Sequence, residues 1–338
     1  MRLIVLAVLL VAATAGAVAV APSGGDDTAR LQAAIDGLSK TLVTGSSKQR
    51  QGGTIELAVG KYKIGGAGAV AHCAGGAKTG AVCRHDADCG ARTSTETNDG
   101  YCTWLTSTVP VTIVGAGIGT EWLVAASDVH TLALAPGSNY SSITGVRMAA
   151  FPPRTGGGKG ILVLARDITL TRVMVDGFGG DGVFADGDQG TFNANNFHFD
   201  VVESNGNGGD GFHVVSHRRA TAAGEPSGAG DASQGLMQNC QAMDNKGTGF
   251  DLRSSKNTLL GLKTHGPTGV RLRGSDNVAT IYCEIQGPAV RNVVFEKEST
   301  GNLVFDLTHS ATVANKYVDE GRGNQWYSGG DLRGAAAR

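Results

Sequence analysis

Two aspartates recur at matching places in the chain. Laid over each other without a gap, residues 167–186 and 196–215 bring Gly177, Gly179, Gly180, Asp181 and Gly182 onto Gly206, Gly208, Gly209, Asp210 and Gly211. If the two segments are neighbouring strands, the carboxylates stand about 5 Å apart. Such a pair could act as acid and base on a glycosidic bond, because mutual repulsion separates the two pKa values. It could equally bind Ca2+, which takes carboxylate oxygens. The plain reading is turn chemistry, in which aspartate bonds backbone and glycine takes positive φ.

A second set of residues follows from a shorter repeat. Gly249 falls on Gly269, Phe250 on Val270 and then Val290, and Leu252 on Leu272. That register puts His213, Asp251, Arg271 and Arg291 in one column, with Arg253 and Arg273 in the column beside it. Leu252 and Leu272 between them point inward, so the arginines point out. Guanidinium forks match the carboxylates of a polyuronate; a solvated face over flat sheet uses the same residues. Asp251 is also placed to pair with Arg271 on the next coil. The expected catalytic groups are therefore Asp181, Asp210, Arg271 and Arg273, with His213, Asp251, Arg253 and Arg291 as substrate-binding groups. No metal or cofactor is required by this set, Ca2+ being the one ion it could take.

The elements that carry these residues are short and repetitive. Phe197-His198-Phe199-Asp200-Val201 alternates apolar and polar side chains, and Gly/Asn/Asp turns separate such segments. One coil cannot bury its apolar face alone, whereas stacked coils form a continuous core. The fold class expected is all-β, a right-handed parallel β-helix, with residues 216–234 as a long loop. An open solenoid end needs cover, which Asp26 to Asp36 provides as a capped helix with Leu31, Ile35 and Leu38 on one face.

From this point a resemblance can be named. The run DDTARLQAAID followed by GGTIELAVGKYKI, within residues 26–64, resembles the opening of the pectate-lyase superfamily. That family opens on Asp-Asp-Thr, an amphipathic helix, then Gly-Gly-Thr-x-x-x-Pro-x-Gly-x-Tyr; Ala58-Val59 stands here where prolines are usual. The resemblance implies a pectin-lyase-like β-helix, export, and work on carbohydrate. The later coils are similar, in part, to polygalacturonases, whose motifs are Asn-Thr-Asp, Asp-Asp, Gly-His-Gly and Arg-Ile-Lys. Here they read Gly179-Gly180-Asp181, Gly209-Asp210-Gly211, Gly247-Thr248-Gly249 and Arg271-Leu272-Arg273. The family's second aspartate and its histidine are missing, and neither Arg-x-Pro-x-x-Arg nor Trp-x-Asp-His occurs.

Composition narrows the setting. Among 338 residues there are 52 glycines and a net charge of −1, which gives nucleic acid no electrostatic footprint. Residues 1–21 read as a signal peptide: Arg2, the apolar run Leu3 to Val11, and Ala17-Val18-Ala19 or Ala19-Val20-Ala21 for cleavage. Residues 22–338 then form one β-helix domain, secreted, with no membrane segment after cleavage. Cys73, Cys83, Cys89 and Cys102 crowd an insertion at 70–104 and make two disulfides, in any of three connectivities. Cys240 and Cys283 are separate buried thiols. Two functions fit: a hydrolase or lyase acting on an extracellular acidic polysaccharide, and a glycan-binding or adhesive β-helix that cleaves nothing.

Overall fold

A computed structural model describes residues 17–39, 53–75, 78–90, 100–187, 193–216, 232–283, 291–308 and 317–328. The strands pair in parallel from coil to coil, apart from the small antiparallel contacts of Ala71–Ala74. Each coil contributes up to three strands. One ladder runs Ser142–Thr144, Thr169–Thr171, His198–Asp200, Leu236–Gln238. A second runs Arg147–Phe151, Met174–Asp176, Glu203–Asn205, Gln241–Met243. Both join in the long strand Thr258–His265, so together they count as one 17-stranded sheet. The third ladder is an 11-stranded sheet running through Tyr101–Ser107, His130–Leu134, Ile161–Val163, Val183–Gly187, Phe212–Ser216, Thr248–Arg253, Thr268–Leu272 and Arg291–Phe295. This is the parallel β-helix that the repeats and the opening motif implied.

Alternation explains the core. Phe197, Phe199, Phe212 and Phe250 are buried, and the rings of Phe212 and Phe250 on adjacent coils stack at 4.8 Å and 5°. Offset ring pairs at that spacing stabilise by about 0.5–1.5 kcal/mol beyond their burial. Corners are sharp because each turns on one left-handed residue. Between the first two ladders this position is Gly145, Arg172, Val201, Asn239 and Gly261 on successive coils, all at positive φ. Valine is the misfit, since its branched Cβ crowds the backbone at φ 54°. Val201 is 41% exposed and gains little from packing. Val201→Asn should therefore stabilise the protein by about 1 kcal/mol, read as a higher denaturant midpoint with unchanged slope.

Inside another corner runs a ladder of buried amides. The side-chain Nδ2 groups of Asn257, Asn277 and Asn302 donate to Oδ1 of the following rung, Asn277, Asn302 and Asn324, at 2.9 Å each, and each of those accepting Oδ1 atoms also takes a backbone N–H. Left unpaired, such groups would cost about 1–3 kcal/mol apiece. Helix α1, Thr28–Ser39, begins where Asp26 Oδ1 accepts the Thr28 amide at 2.8 Å, and buries Leu31, Ile35 and Leu38 in the main core.

The expected leader overlaps the described chain. Residues 1–16 lie outside it, and Ala17–Val20 pairs as a strand with Thr54–Leu57. The long loop expected at 216–234 falls mostly outside the described residues. Coil length is less regular than a twenty-residue unit: register partners are 22 residues apart at Ile161 and Val183, 29 at Val183 and Phe212, and 38 at Phe212 and Phe250.

Candidate functional site

Register sorts the chemistry into two columns on the third sheet. Extending the strand pairing by two residues before Ile161, Val183 and Phe212 aligns Lys159, Asp181 and Asp210 on successive coils at one sheet edge. The neighbouring column, on the outer face, reads Ala133, Leu162, Phe184, His213, Asp251, Arg271 and Val294. Its first residues are apolar and buried with Ala74 and Tyr101 of the cysteine segment. Its middle meets the aspartates, and its end is basic.

Each aspartate divides its oxygens between two tasks. Asp181 Oδ1 accepts the Asp210 amide at 2.8 Å, and Asp210 Oδ1 accepts the Thr248 amide at 2.5 Å. These bonds tie each coil to the next, so turn chemistry accounts for one oxygen of each. Glycine makes the approach possible, since a Cβ on Gly209 would stand 2.3 Å from Asp181 Oδ1. The Oδ2 atoms converge on His213, whose Nδ1 lies 3.3 Å from that of Asp181 and 3.7 Å from that of Asp210. Lys159 Nζ contacts Asp181 Oδ2 as well and sits 4.5 Å from the Phe184 ring centre. His213 Nε2 is shielded from solvent and has no hydrogen-bond partner.

The two carboxyls are driven apart. Burial opposes ionisation of Asp181, but hydrogen bonding from His213 and the charges of Lys159 and His213 outweigh it and hold this carboxyl well below the usual range. Asp210 moves the other way, raised by burial first and by the Asp181 charge second. Asp181 is thus a fixed anion and Asp210 the member of the pair that can carry a proton. Because the folded pKa of Asp181 is depressed, its ionisation stabilises the protein fully above its unfolded value of about 3.9 and ceases to do so as pH falls through the folded value. The stability gap between wild type and Asp181→Asn should accordingly be largest near neutrality and close below about pH 4, as followed by urea titrations across that range.

The cysteine segment builds one wall. Disulfides Cys73–Cys89 and Cys83–Cys102 hold the short helical turn Asp86–Cys89 against the strand Tyr101–Ser107. Asp86 Oδ1 accepts the Cys102 amide, and its Oδ2 meets His130 Nε2 at 3.0 Å. The Lys159 amide donates to His130 Nδ1 at 2.9 Å, so the ring proton sits on Nε2 and points at Asp86. Asp86, Ala87, Gly90, Gly100 and Tyr101 enclose a groove of about 580 Å3 over Lys159, Asp181, Phe184, Asp210 and His213. Tyr101 hydrogen-bonds Asp186 at 2.5 Å, which ties Asp186 to this wall.

The arginines do not join that cluster. Arg253, Arg271 and Arg273 ring the buried Asp251 at 3.5, 3.7 and 3.6 Å, and Arg271 also meets Glu296 at 3.4 Å. The pairing of Asp251 with Arg271 is present, and the guanidiniums remain 30–40% exposed. His213 keeps the expected column before Asp251 and Arg271, while its ring contacts the aspartates. Arg291 leaves its expected column: Val270 pairs with Val293 rather than Val290, so Arg271 faces Val294 and Arg291 faces Thr268. The coil there is three residues longer than the repeat extrapolated from its predecessor, 23 against 20. Arg291 thereby enters the Lys159–Asp181–Asp210 column, three coils beyond Asp210. Cys240 and Cys283 are buried and unbridged, and burial pushes the Cys240 thiol up to about 12.

Sequence reasoning missed Lys159, Asp86 and His130. The signal for Lys159 was available, because the aspartate repeat carried back by 22 residues lands on it. Asp86 and His130 meet only through the disulfide-braced fold of the insertion.

No family model matches the chain, and no curated protein matches it. Solved structures give faint likenesses. The A-module of mannuronan C-5 epimerase AlgE4 from Azotobacter vinelandii shares 16% identity over 93% of this chain and 96% of its own, at a TM-score of 0.48. An alginate lyase from Paenibacillus shares 12% over 92% and 100%, at 0.41. PfbA, a surface adhesin of Streptococcus pneumoniae, shares 9% over 94% of both chains, at 0.28. At these values none bears on what this chain acts upon, and the fold stands on its own strand register.

Proposed function

We propose that this protein cleaves an acidic extracellular polysaccharide by β-elimination, in the groove formed by Asp181, Asp210, His213 and Lys159. The observation that carries the proposal is the convergence of both Oδ2 atoms on His213 in a groove of substrate size, with the arginine cluster next along the same column. Adjacent coils are about 4.8 Å apart. A polyuronate lying along the column therefore reaches from His213 to Arg271 in a few sugar units. Arg253, Arg271 and Arg273 keep enough exposure to hold uronate carboxylates by paired hydrogen bonds.

The division of labour follows from the geometry. Asp181 orients the imidazole by accepting from Nδ1, and the ring must turn on substrate binding to bring Nε2, shielded from solvent here, to the proton at the carbon next to the uronate carboxylate. The electrons of that C–H bond form a C=C bond, and the C–O bond to the leaving sugar breaks. Asp210, the carboxyl kept protonated more readily, gives its proton to the departing oxygen. Two-carboxylate hydrolysis fits less well. Asp181 already holds an amide, an ammonium and an imidazole, and the three candidate donor atoms lie within 4.8 Å of one another. That spacing leaves no room for the water of an inverting enzyme, and Asp181, held by three partners, is not free to attack as the nucleophile of a retaining one.

Two disulfides suit an oxidising compartment, so we take the protein to be exported by a leader within residues 1–21 and to work as one β-helix domain from residue 22, cleavage there giving up the edge strand Ala17–Val20. In that setting α1 covers the open first coil, consistent with its buried leucines. Purified protein should be incubated with a panel of acidic and neutral polysaccharides, and products followed as reducing ends and as unsaturated-uronate absorbance. Both signals rising together supports elimination. Reducing ends alone would assign hydrolysis to Asp181 and Asp210, and binding without products would make the groove an adhesive site.

A further inference from the structure

The groove has the donor set of a cation site and already contains a cation. One ligand atom from each of Asp181, Asp210 and His213 lies within 4.8 Å of the other two. Two carboxylates and an imidazole in that span can take a divalent ion. Lys159 occupies the same space: its Nζ lies on Asp181 Oδ2 and over the face of Phe184. The lysine is held at its other end too, because its amide donates to His130 Nδ1 and His130 is fixed by Asp86. Its side chain is only 21% exposed. Asp181 Oδ2 is shared between Lys159 and His213, and its Oδ1 is taken by the Asp210 amide. An incoming ion would have to displace the ammonium.

We propose that Lys159 is the resident cation of the groove, seated where Asp181, Asp210 and His213 would otherwise gather a divalent metal ion. An ammonium is a compact charge with three donors; one is spent on Asp181, and the others can face a bound uronate carboxylate. There the charge would stabilise the negative charge that builds up on that carboxylate as its neighbouring carbon loses a proton. The seating of Lys159 stands independently of the elimination reaction; its effect on a uronate rests on that reaction.

The decisive measurement needs no substrate. Wild type, Lys159→Ala and Lys159→Gln are titrated calorimetrically with Ca2+ alone and with Zn2+ alone. Wild type should show no uptake that is lost on changing Asp210→Asn. Lys159→Ala should gain one equivalent of at least one ion, with Kd for Ca2+ of about 10⁻⁴–10⁻³ M, and adding Asp210→Asn should abolish it. Lys159→Gln, which keeps a donor to Asp181, carries the same measurement if the alanine variant fails to fold. One equivalent bound by wild type through Asp210, or no gain in either folded variant, overturns the proposal. With an active polysaccharide in hand, chelator should leave wild-type turnover unchanged, and Ca2+ should restore at least tenfold of what Lys159→Ala loses. A chain that cleaves nothing overturns the elimination reading and leaves the two titrations to decide the place of Lys159.

Discussion

Asp210→Asn and His213→Gln should each lower turnover on the cleavable polysaccharide by roughly 10²–10⁴-fold, the usual contribution of one positioned acid or base. The Asn variant is the more informative, because its side-chain oxygen can still accept the Thr248 amide that Asp210 Oδ1 accepts now. The coil-to-coil tie survives while the proton is lost. Its thermal midpoint should stay near that of wild type. The pH profile gives a sharper test. Burial and the Asp181 charge raise the Asp210 carboxyl above its usual value, and an acid works only while protonated. Wild-type activity should therefore fall as pH rises through that elevated value, and the residual activity of Asp210→Asn should lack this limb. An Asn variant with full turnover, or one that keeps the limb, removes Asp210 from the chemistry.

Asp251→Ala should destabilise by about 1–3 kcal/mol, below the cost of breaking a fully buried ion pair because the arginines left behind are 30–40% exposed. Asp251 is 1% exposed and carries the charge that three arginines share. Neither of its oxygens makes a hydrogen bond, so charge rather than bonding geometry holds the cluster. Without it, Arg253, Arg271 and Arg273 face one another with Glu296 as the remaining counter-charge among these contacts. Truncating any one arginine should cost about 1 kcal/mol or less, because each is 30–40% exposed and screened by water. Denaturant unfolding of the four variants at low and high salt would show the asymmetry. Equal losses at Asp251 and at one arginine would mean that the pair is no more than surface decoration.

The fold was legible because its cause is local. Phe197 and Phe199 alternate with polar neighbours, the Gly-rich turns recur, and a solenoid is what such a pattern can bury. The aspartates were legible for the same reason, as repeated turn residues. Two things broke the reading. Extrapolating a constant coil past Leu272 put Arg291 beside Arg271, whereas a coil of 23 residues moves it to the aspartate column. Stopping the alignment at residue 167 hid Lys159, one coil earlier in that column. Asp86 and His130 lay beyond sequence reasoning altogether, since a disulfide-braced segment and a β-strand meet only in three dimensions.

The asparagine ladder separates the ruler of this molecule from its cargo. Successive rungs are 20, 25 and 22 positions apart in the chain, yet the rung-to-rung bond is 2.9 Å each time. Only the distance between rungs along the axis is regulated; the path taken between them is free. Extra chain can therefore be spliced into any corner that carries no rung without throwing the later coils out of step. A lineage, or a designer, could exchange the walls of the groove for others and keep the same backbone turning beneath them.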